Sequence, residues 1–194
     1  MTDSLVQGLK NWLRLQAEKE AKNDVLKKSD RIGNIIGFVG GIIVLIFFIV
    51  HSTSQTGFFT SGFGLVEAIL FFGITGWGLI PVLVRFMAGK KSMAKPLDII
   101  GMFLIFIAMI YFLATFPFDF SHFADPLPGA LEWIIQWITN DIARALMILG
   151  TIAMVFLIPW QTVDYLYLRR ELAKIPAAPQ ADAVPSPNQE APKQ

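Results

Sequence analysis

Long apolar segments dominate the pattern of hydrophobic and polar positions along the chain. No Asp, Glu, Lys or Arg occurs in residues 32–66, 68–84, 99–118 and 145–163. A helix that crosses the hydrocarbon core of a bilayer needs about 20 mostly apolar residues. The pattern therefore predicts an all-α integral membrane protein with a bundle of four transmembrane helices, in a domain of residues 32–170. The predicted spans are residues 32–50, 63–86, 97–116 and 142–166.

The arm that precedes the first span is polar and basic. Residues 1–31 contain seven Lys or Arg and five Asp or Glu. An apolar stripe at helical spacing runs through the arm and consists of Leu5, Leu9, Trp12 and Leu13. Such a stripe beside basic residues is typical of an amphipathic helix that lies in the interface of an anionic leaflet. A short helix surrounded by water is the alternative.

Lys and Arg residues near the ends of the spans predict the orientation of the bundle. Of the 16 in the chain, seven lie in the arm, four in the loop between the second and third spans, and four after the fourth span. The other two loops contain none. We therefore expect both termini to be cytoplasmic, which fits an even number of spans. The expected location is a prokaryotic cytoplasmic (inner) membrane, crossed several times.

Two further segments complete the predicted organisation. Apolar residues recur at helical spacing from Leu131 to Ile138, and this segment also contains Trp133 and Trp137. Because Trp prefers the membrane–water interface, we predict a short helix in the outer interface; a re-entrant cap over the bundle is the alternative. The predicted interfacial anchors are Trp12, Trp133, Trp137 and Trp160. Residues 171–194 form a Pro- and Ala-rich cytoplasmic tail that we expect to be disordered.

A stripe of small residues marks the first span. Gly33, Gly37 and Gly41 are spaced four residues apart, so a helix places them on one side. Glycine weakens a helix, and a stripe of three indicates close packing against another backbone. The neighbour is either a helix of the same bundle or a second subunit.

One acidic and one basic residue stand inside the predicted spans. Glu67 and Arg144 lie at similar depths from the outer ends of the second and fourth spans. A charge inside the membrane is expensive unless it is paired or neutralised, so we predict an intramembrane ion pair. Two alternatives are that each side chain reaches the outer headgroups by itself, or that Glu67 handles protons or ions.

Composition narrows the chemistry further. The chain is 54% hydrophobic and 16% charged, whereas soluble domains carry about 25% charged residues. The absence of Cys excludes disulfides, a catalytic thiol and thiolate-bound clusters. His51 and His122 are expected to be neutral surface side chains. We predict no metal, no cofactor and no nucleic-acid partner.

The sequence contains no recognisable catalytic motif, so an enzyme is not expected. Small loops, a glycine stripe and interfacial helices favour a non-catalytic membrane protein. Its expected role is that of a structural or accessory subunit of a larger membrane complex. Its partners would be the lipid bilayer and other membrane subunits, or further copies of itself. The alternative is a small oligomeric transporter or channel that uses Glu67.

Overall fold

The computed structural model describes residues 2–175, and this part of the chain is helical apart from turns and two isolated β-bridges. A 3₁₀ turn covers Phe120–His122. The α-helices are α1 (Thr2–Lys22), α2 (Lys28–Thr53), α3 (Leu65–Trp77), α4 (Leu79–Ala88), α5 (Lys95–Thr115), α6 (Gly129–Glu132) and α7 (Asn140–Leu172).

The four predicted apolar helices are confirmed. Four helical segments are long and apolar enough to cross a membrane: α2, α3 together with α4, α5, and α7. Each helical segment begins and ends within a few residues of its predicted bounds, except that α7 continues to Leu172. Most of the predicted tail, residues 176–194, lies outside the described residues.

The second span is interrupted at Gly78, between α3 and α4. Pro81 follows three residues later and is buried. A proline has no backbone N–H and its ring collides with the carbonyl one turn earlier, here that of Trp77, so the regular ladder stops. Gly78 closes the last turn of α3 by donating its N–H to the Ile74 carbonyl at 3.1 Å.

The helices are arranged in the order α2, α3/α4, α5, α7, with α1 lying along α7. Helix α5 contacts α3, α4 and α7, whereas α2 contacts only α3 and α4. Throughout these described helices, no Cα atom of α2 approaches α5 or α7 within 8 Å. The bundle is therefore open between α2 and α7.

Two glycines allow close contacts around α5. A Cβ atom on Gly101 would lie 3.0 Å from the ring of Trp77, and one on Gly150 would lie 2.8 Å from the terminal methyl of Met109. The indole of Trp77 also donates to the Leu97 carbonyl at 3.2 Å. Small residues thus let α3 and α7 pack tightly on α5, as is usual between membrane helices.

Helix α1 packs along the C-terminal part of α7. Its inner face consists of Leu13, Ala17 and Ala21, all buried, and Leu168 of α7 is fully buried. The predicted stripe is thereby divided, because Leu5 and Leu9 remain exposed. Whether that exposed side lies in a lipid interface stays a prediction.

The segment after α6 is a run of turns rather than a longer helix. Helix α6 covers Gly129–Glu132 only, and tight i→i+3 hydrogen bonds follow it, such as that from the Ile134 N–H to the Leu131 carbonyl at 3.1 Å. The side chains of Trp133 and Trp137 are exposed. Their interfacial depth stays a prediction.

Candidate functional site

The described part of the molecule has two chemically different ends. We call the end formed by α1, the α1–α2 link, the α4–α5 link and the C-terminal part of α7 the basic end. The opposite end, formed by residues 54–64 and 116–139, is the aromatic end. The described Lys and Arg residues of the three groups that predicted the orientation meet at the basic end, because the segments that carry them are neighbours there.

A buried carboxylate joins two links at the basic end. Asp24 is 8% exposed and accepts hydrogen bonds from the N–H and the hydroxyl of Ser92, at 2.7 and 2.8 Å. Two backbone bonds support it, from Leu26 to the Gly89 carbonyl and from Lys91 to the Asp24 carbonyl, both 2.9 Å. Gly89 ends α4 with φ +65°, a conformation that favours glycine. The α1–α2 and α4–α5 links are therefore fixed to each other.

Lys95 connects three helices at the same end. Its ammonium lies 2.8 Å from Glu20 of α1 and 2.7 Å from Asp164 of α7. Its side chain is 17% exposed, so these bonds are partly shielded from water. The sequence analysis did not predict this arrangement, although the arm contains acidic residues and the loop between the second and third spans contains basic ones.

Two more ion pairs extend the network at the basic end. Arg85 of α4 contacts Asp98 of α5 at 2.6 Å, and Lys91 contacts Asp30 of α2 at 2.8 Å. A cavity of about 500 Å³ opens beside them, and Gly33 and Lys95 belong to its wall. Each of the three cations in that wall is ion-paired. The cavity therefore offers no unpaired positive charge to an anion.

The glycine stripe of α2 is divided between two environments. A Cβ atom on Gly41 would lie 2.5 Å from the side chain of Leu79, so this glycine permits the contact between α2 and α4. Cβ atoms on Gly33, Gly37 and Gly40 would meet nothing within 4 Å. Packing inside the chain thus accounts for Gly41 and leaves Gly37 and Gly40 on an open face, whereas Gly33 borders the cavity at the basic end.

Aromatic rings fill the aromatic end. Phe58 is 1% exposed, and its backbone carbonyl accepts the N–H of Asp119 at 2.7 Å, which holds the two links together. The ring centroid of Phe58 lies 4.7–5.7 Å from those of Phe48, His51, Phe59, Phe118, Phe120 and Phe123. The density of Phe in residues 58–72 and 112–123 was the sequence signal that could have predicted this cluster.

His51 is a buried member of that cluster, which corrects the expectation of a surface side chain. It is 1% exposed because it follows Phe47 and Phe48 by one helical turn and faces the same side. Its Nε2 donates to the Phe123 carbonyl at 3.2 Å, since a carbonyl can only accept. Its Nδ1 then accepts from the Thr56 hydroxyl at 2.6 Å. The two partners fix one neutral tautomer.

His122 lies nearer the surface. Its Nδ1 is 2.9 Å from Asp125, and its ring packs on Gly57, whose φ of +100° requires glycine. Close by, the hydroxyl and the N–H of Ser121 donate to Asp119 at 2.7 and 3.0 Å. These bonds hold the pKa of the Asp119 carboxyl below its ordinary value. Among the described residues no group of three or more His, Cys, Asp or Glu could hold a metal ion.

An apolar cavity of about 250 Å³ adjoins the aromatic cluster. Thr75 contributes the one polar side chain of the described wall, and its hydroxyl donates to the Phe71 carbonyl at 2.7 Å. The rest of the wall is aliphatic, aromatic or thioether. It includes Phe48 of α2, Ala108 of α5 and Met147 of α7.

Glu67 and Arg144 have separate partners in the structure, which corrects the predicted pair. Glu67 lies in the first turn of α3, where it accepts the N–H of Gly64 at 2.9 Å and the hydroxyl of Tyr111. The guanidinium of Arg144 stacks on the ring of Phe116, 4.1 Å from its centroid. Similar depth along two helices did not bring the side chains together, because helix α5 with its Tyr111 supplies the nearer partner for Glu67.

The predicted anchors also differ in their surroundings. The ring centroids of Trp12 and Trp160 are 5.7 Å apart and this contact joins α1 to α7, whereas Trp133 and Trp137 lie in the turns after α6; all four side chains are exposed. Comparison of the chain with protein-family models, curated proteins and solved structures finds no match. The features that bear on function are therefore the open face of α2 and the two cavities.

Proposed function

We propose that the protein is a non-catalytic integral membrane protein that acts as an accessory subunit and receives a transmembrane helix of another subunit against α2. The observation that carries this proposal is the open glycine face of α2. Gly37 and Gly40 fall within one side of the helix, and a Cβ atom on either would meet nothing of its own chain within 4 Å. Gly33, one turn before Gly37, borders the cavity at the basic end.

The energetics of glycine support a partner at this face. Each glycine in a helix interior costs about 1 kcal/mol relative to alanine. Lipid chains gain nothing from the missing Cβ, whereas a second helix can approach closely and pack over a larger area. Helix α2 also lies at an edge of the bundle, because α3 and α4, which form one span, are the only described helices whose Cα atoms come within 8 Å of it.

The orientation is part of the proposal. With the basic end cytoplasmic, both termini are cytoplasmic and the aromatic end faces outward, in a prokaryotic inner membrane. Because the chain has no native Cys, single-cysteine variants report sidedness directly. Gln55→Cys should react with an impermeant maleimide on intact cells, and Lys90→Cys only after permeabilisation. The reverse pattern would invert the orientation.

The transporter alternative has weaker support. The carboxylate of Glu67 accepts the N–H of Gly64 at the start of α3 and the hydroxyl of Tyr111. Both hydrogen bonds have a structural role. The charged cavity at the basic end lies at the opposite end of the bundle from Glu67. A transport path would need polar side chains along the spans, and Asn34, Thr75 and Thr151 are few for that purpose. Ion flux in liposomes that Glu67→Gln abolishes would restore this alternative.

Cross-linking from the open face tests the accessory role. A photoactivatable maleimide on Gly37→Cys should form an adduct with a membrane protein of a different chain in native membranes. Gly73→Cys is the matched control, because Gly73 lies inside α3 and its Cβ would also meet nothing within 4 Å. Adding Gly40→Leu to Gly37→Cys should remove the adduct, since the leucine blocks close approach.

The cross-linked product identifies what lies against the open face of α2. An adduct specific to position 37 and lost with Gly40→Leu supports a partner helix. An adduct between two copies of this chain replaces the partner subunit by a homo-oligomer. Lipid adducts only, with equal yield at positions 37 and 73, would show that α2 faces the bilayer and contradict the proposal.

A further inference from the structure

We infer that the cavity at the aromatic end binds a phospholipid of the adjacent leaflet, with an acyl chain in the cavity and the phosphate at Arg144. The inference rests on the membrane location proposed above, but not on a partner subunit. It joins two features that are independent of each other: an apolar space inside the bundle and a cation beside it.

The wall of the cavity selects an apolar occupant. Its volume is about 250 Å³ and its one polar side chain, Thr75, is hydrogen-bonded to the backbone. An apolar cavity without free polar groups does not hold ordered water, and a cavity of about 150 Å³ already accepts a benzene ring. A hydrocarbon chain therefore fits this space better than water or a polar solute.

The position of the cavity gives lipid chains access to it. Its wall includes Phe48 of α2 and Met147 of α7, two helices whose Cα atoms stay more than 8 Å apart along their described length. The bundle is open on that side, within the segments that are long and apolar enough to cross a membrane. In a bilayer the material outside this opening is lipid acyl chain.

Arg144 supplies the polar half of the site. It precedes Met147 by three residues, so both lie on the same side of α7 with Arg144 nearer the aromatic end. Its guanidinium covers the ring of Phe116, whose centroid is 6.0 and 6.3 Å from those of the cavity residues Phe118 and Phe120.

The charge of Arg144 is available to an anion. Among the described ion pairs none involves Arg144. It is also the one basic residue of the spans that lies outside the basic end. A guanidinium binds phosphate oxygens through two parallel hydrogen bonds, and its face can remain stacked on an aromatic ring. A phosphate at the headgroup level is therefore a suitable partner.

Native mass spectrometry of the full chain, purified in mild detergent, tests the inference. The two probes are dioleoyl phosphatidylglycerol, which has chains and a phosphate, and oleyl alcohol, which has a chain only. We expect one phosphatidylglycerol to be retained per chain. Arg144→Gln should weaken its retention about tenfold, the effect of one lost charge-assisted contact, and should leave oleyl alcohol unchanged.

A second variant fills the cavity. Ala108 is buried in its wall, and Ala108→Leu should displace both probes. If Ala108→Leu does not give a folded, monodisperse protein, Met147→Phe fills the same space from α7. The matched control is Arg170→Gln, because Arg170 also lies over an aromatic ring of α7, that of Tyr167, but at the basic end. It should retain both probes as the unmodified chain does.

Three results would overturn the inference. Equal losses in Arg144→Gln and Arg170→Gln would show a general effect of charge. Loss of both probes in Ala108→Leu with no effect of Arg144→Gln would replace the phospholipid by another apolar ligand. Retention that neither variant changes would place the lipid elsewhere. Release of the protein from membranes by alkaline carbonate would instead contradict the membrane location itself.

Discussion

The two ends of the bundle join the same helices by different chemistry. At the basic end, Lys95 connects three helices through two carboxylates, and Asp24 fixes two links by hydrogen bonds. At the aromatic end, Phe58 is surrounded by six rings, and the one described ion pair there, between His122 and Asp125, joins residues three apart in the sequence.

This difference has consequences for stability. Removing a charged group from water costs free energy, and in an ion pair the attraction to the partner compensates this cost. A charge that loses its partner is therefore destabilising. Ring packing is distributed over many weak contacts and tolerates small displacements, but a missing ring leaves a void. The aromatic end should therefore respond most to lost volume, and the basic end most to lost charge.

The largest effect is expected from a void at the aromatic end. Phe58→Ala should destabilise by about 3–5 kcal/mol, because a fully buried ring is removed. The measurement is the thermal unfolding midpoint in mild detergent. Phe156→Ala is the control, since Phe156 is 71% exposed on α7, and it should change stability by less than about 0.5 kcal/mol. Equal losses would show that the rings are not a packed unit.

The next effect concerns charge at the basic end. Lys95→Met should destabilise by about 2–3 kcal/mol, because Glu20 and Asp164 lose their shared cation in a partly shielded site. Lys22→Met removes an exposed pair with Glu18, and we expect a much smaller loss of stability, because water screens that pair. The same unfolding assay compares them. If high salt abolished the difference between the two variants, Lys95 would be as accessible to solvent as Lys22.

A double-mutant cycle tests the polar contact at the aromatic end. The stability losses of Glu67→Gln and Tyr111→Phe should not be additive, because the two side chains share a hydrogen bond between α3 and α5. The losses of Glu67→Gln and Arg144→Gln should be additive, because the two side chains have separate partners. Coupling of Glu67 to Arg144 but not to Tyr111 would restore the ion pair that the sequence predicted.

The smallest effect is a pH dependence at Asp119. Its pKa is lowered in the folded chain by the Ser121 hydroxyl and N–H, so the ionised carboxylate contributes stability above its unfolded pKa. That contribution is lost as the pH falls through the folded pKa. The stability difference between the unmodified chain and Asp119→Asn should thus be full at neutral pH and shrink below about pH 4. A difference that stays constant down to pH 2 would exclude this role.

Much of the architecture follows from local sequence. Charge-free runs of sufficient length predicted four apolar helices, because a backbone in lipid must satisfy its hydrogen bonds within the helix. The basic segments lie at the same end of the bundle because two spans separate each of them from the next. These features depend on residues close together in the chain, so periodicity and composition suffice to predict them.

Contacts between distant residues were decided by the tertiary structure alone. Depth along two helices does not determine rotation about their axes, and so Glu67 meets Tyr111 while Arg144 meets Phe116. For the same reason the glycine stripe could not be assigned to one neighbour: Gly41 faces Leu79, and Gly37 faces open space. The aromatic cavity exists because α2 and α7 stay apart, a property of the whole bundle that no segment of the sequence encodes by itself.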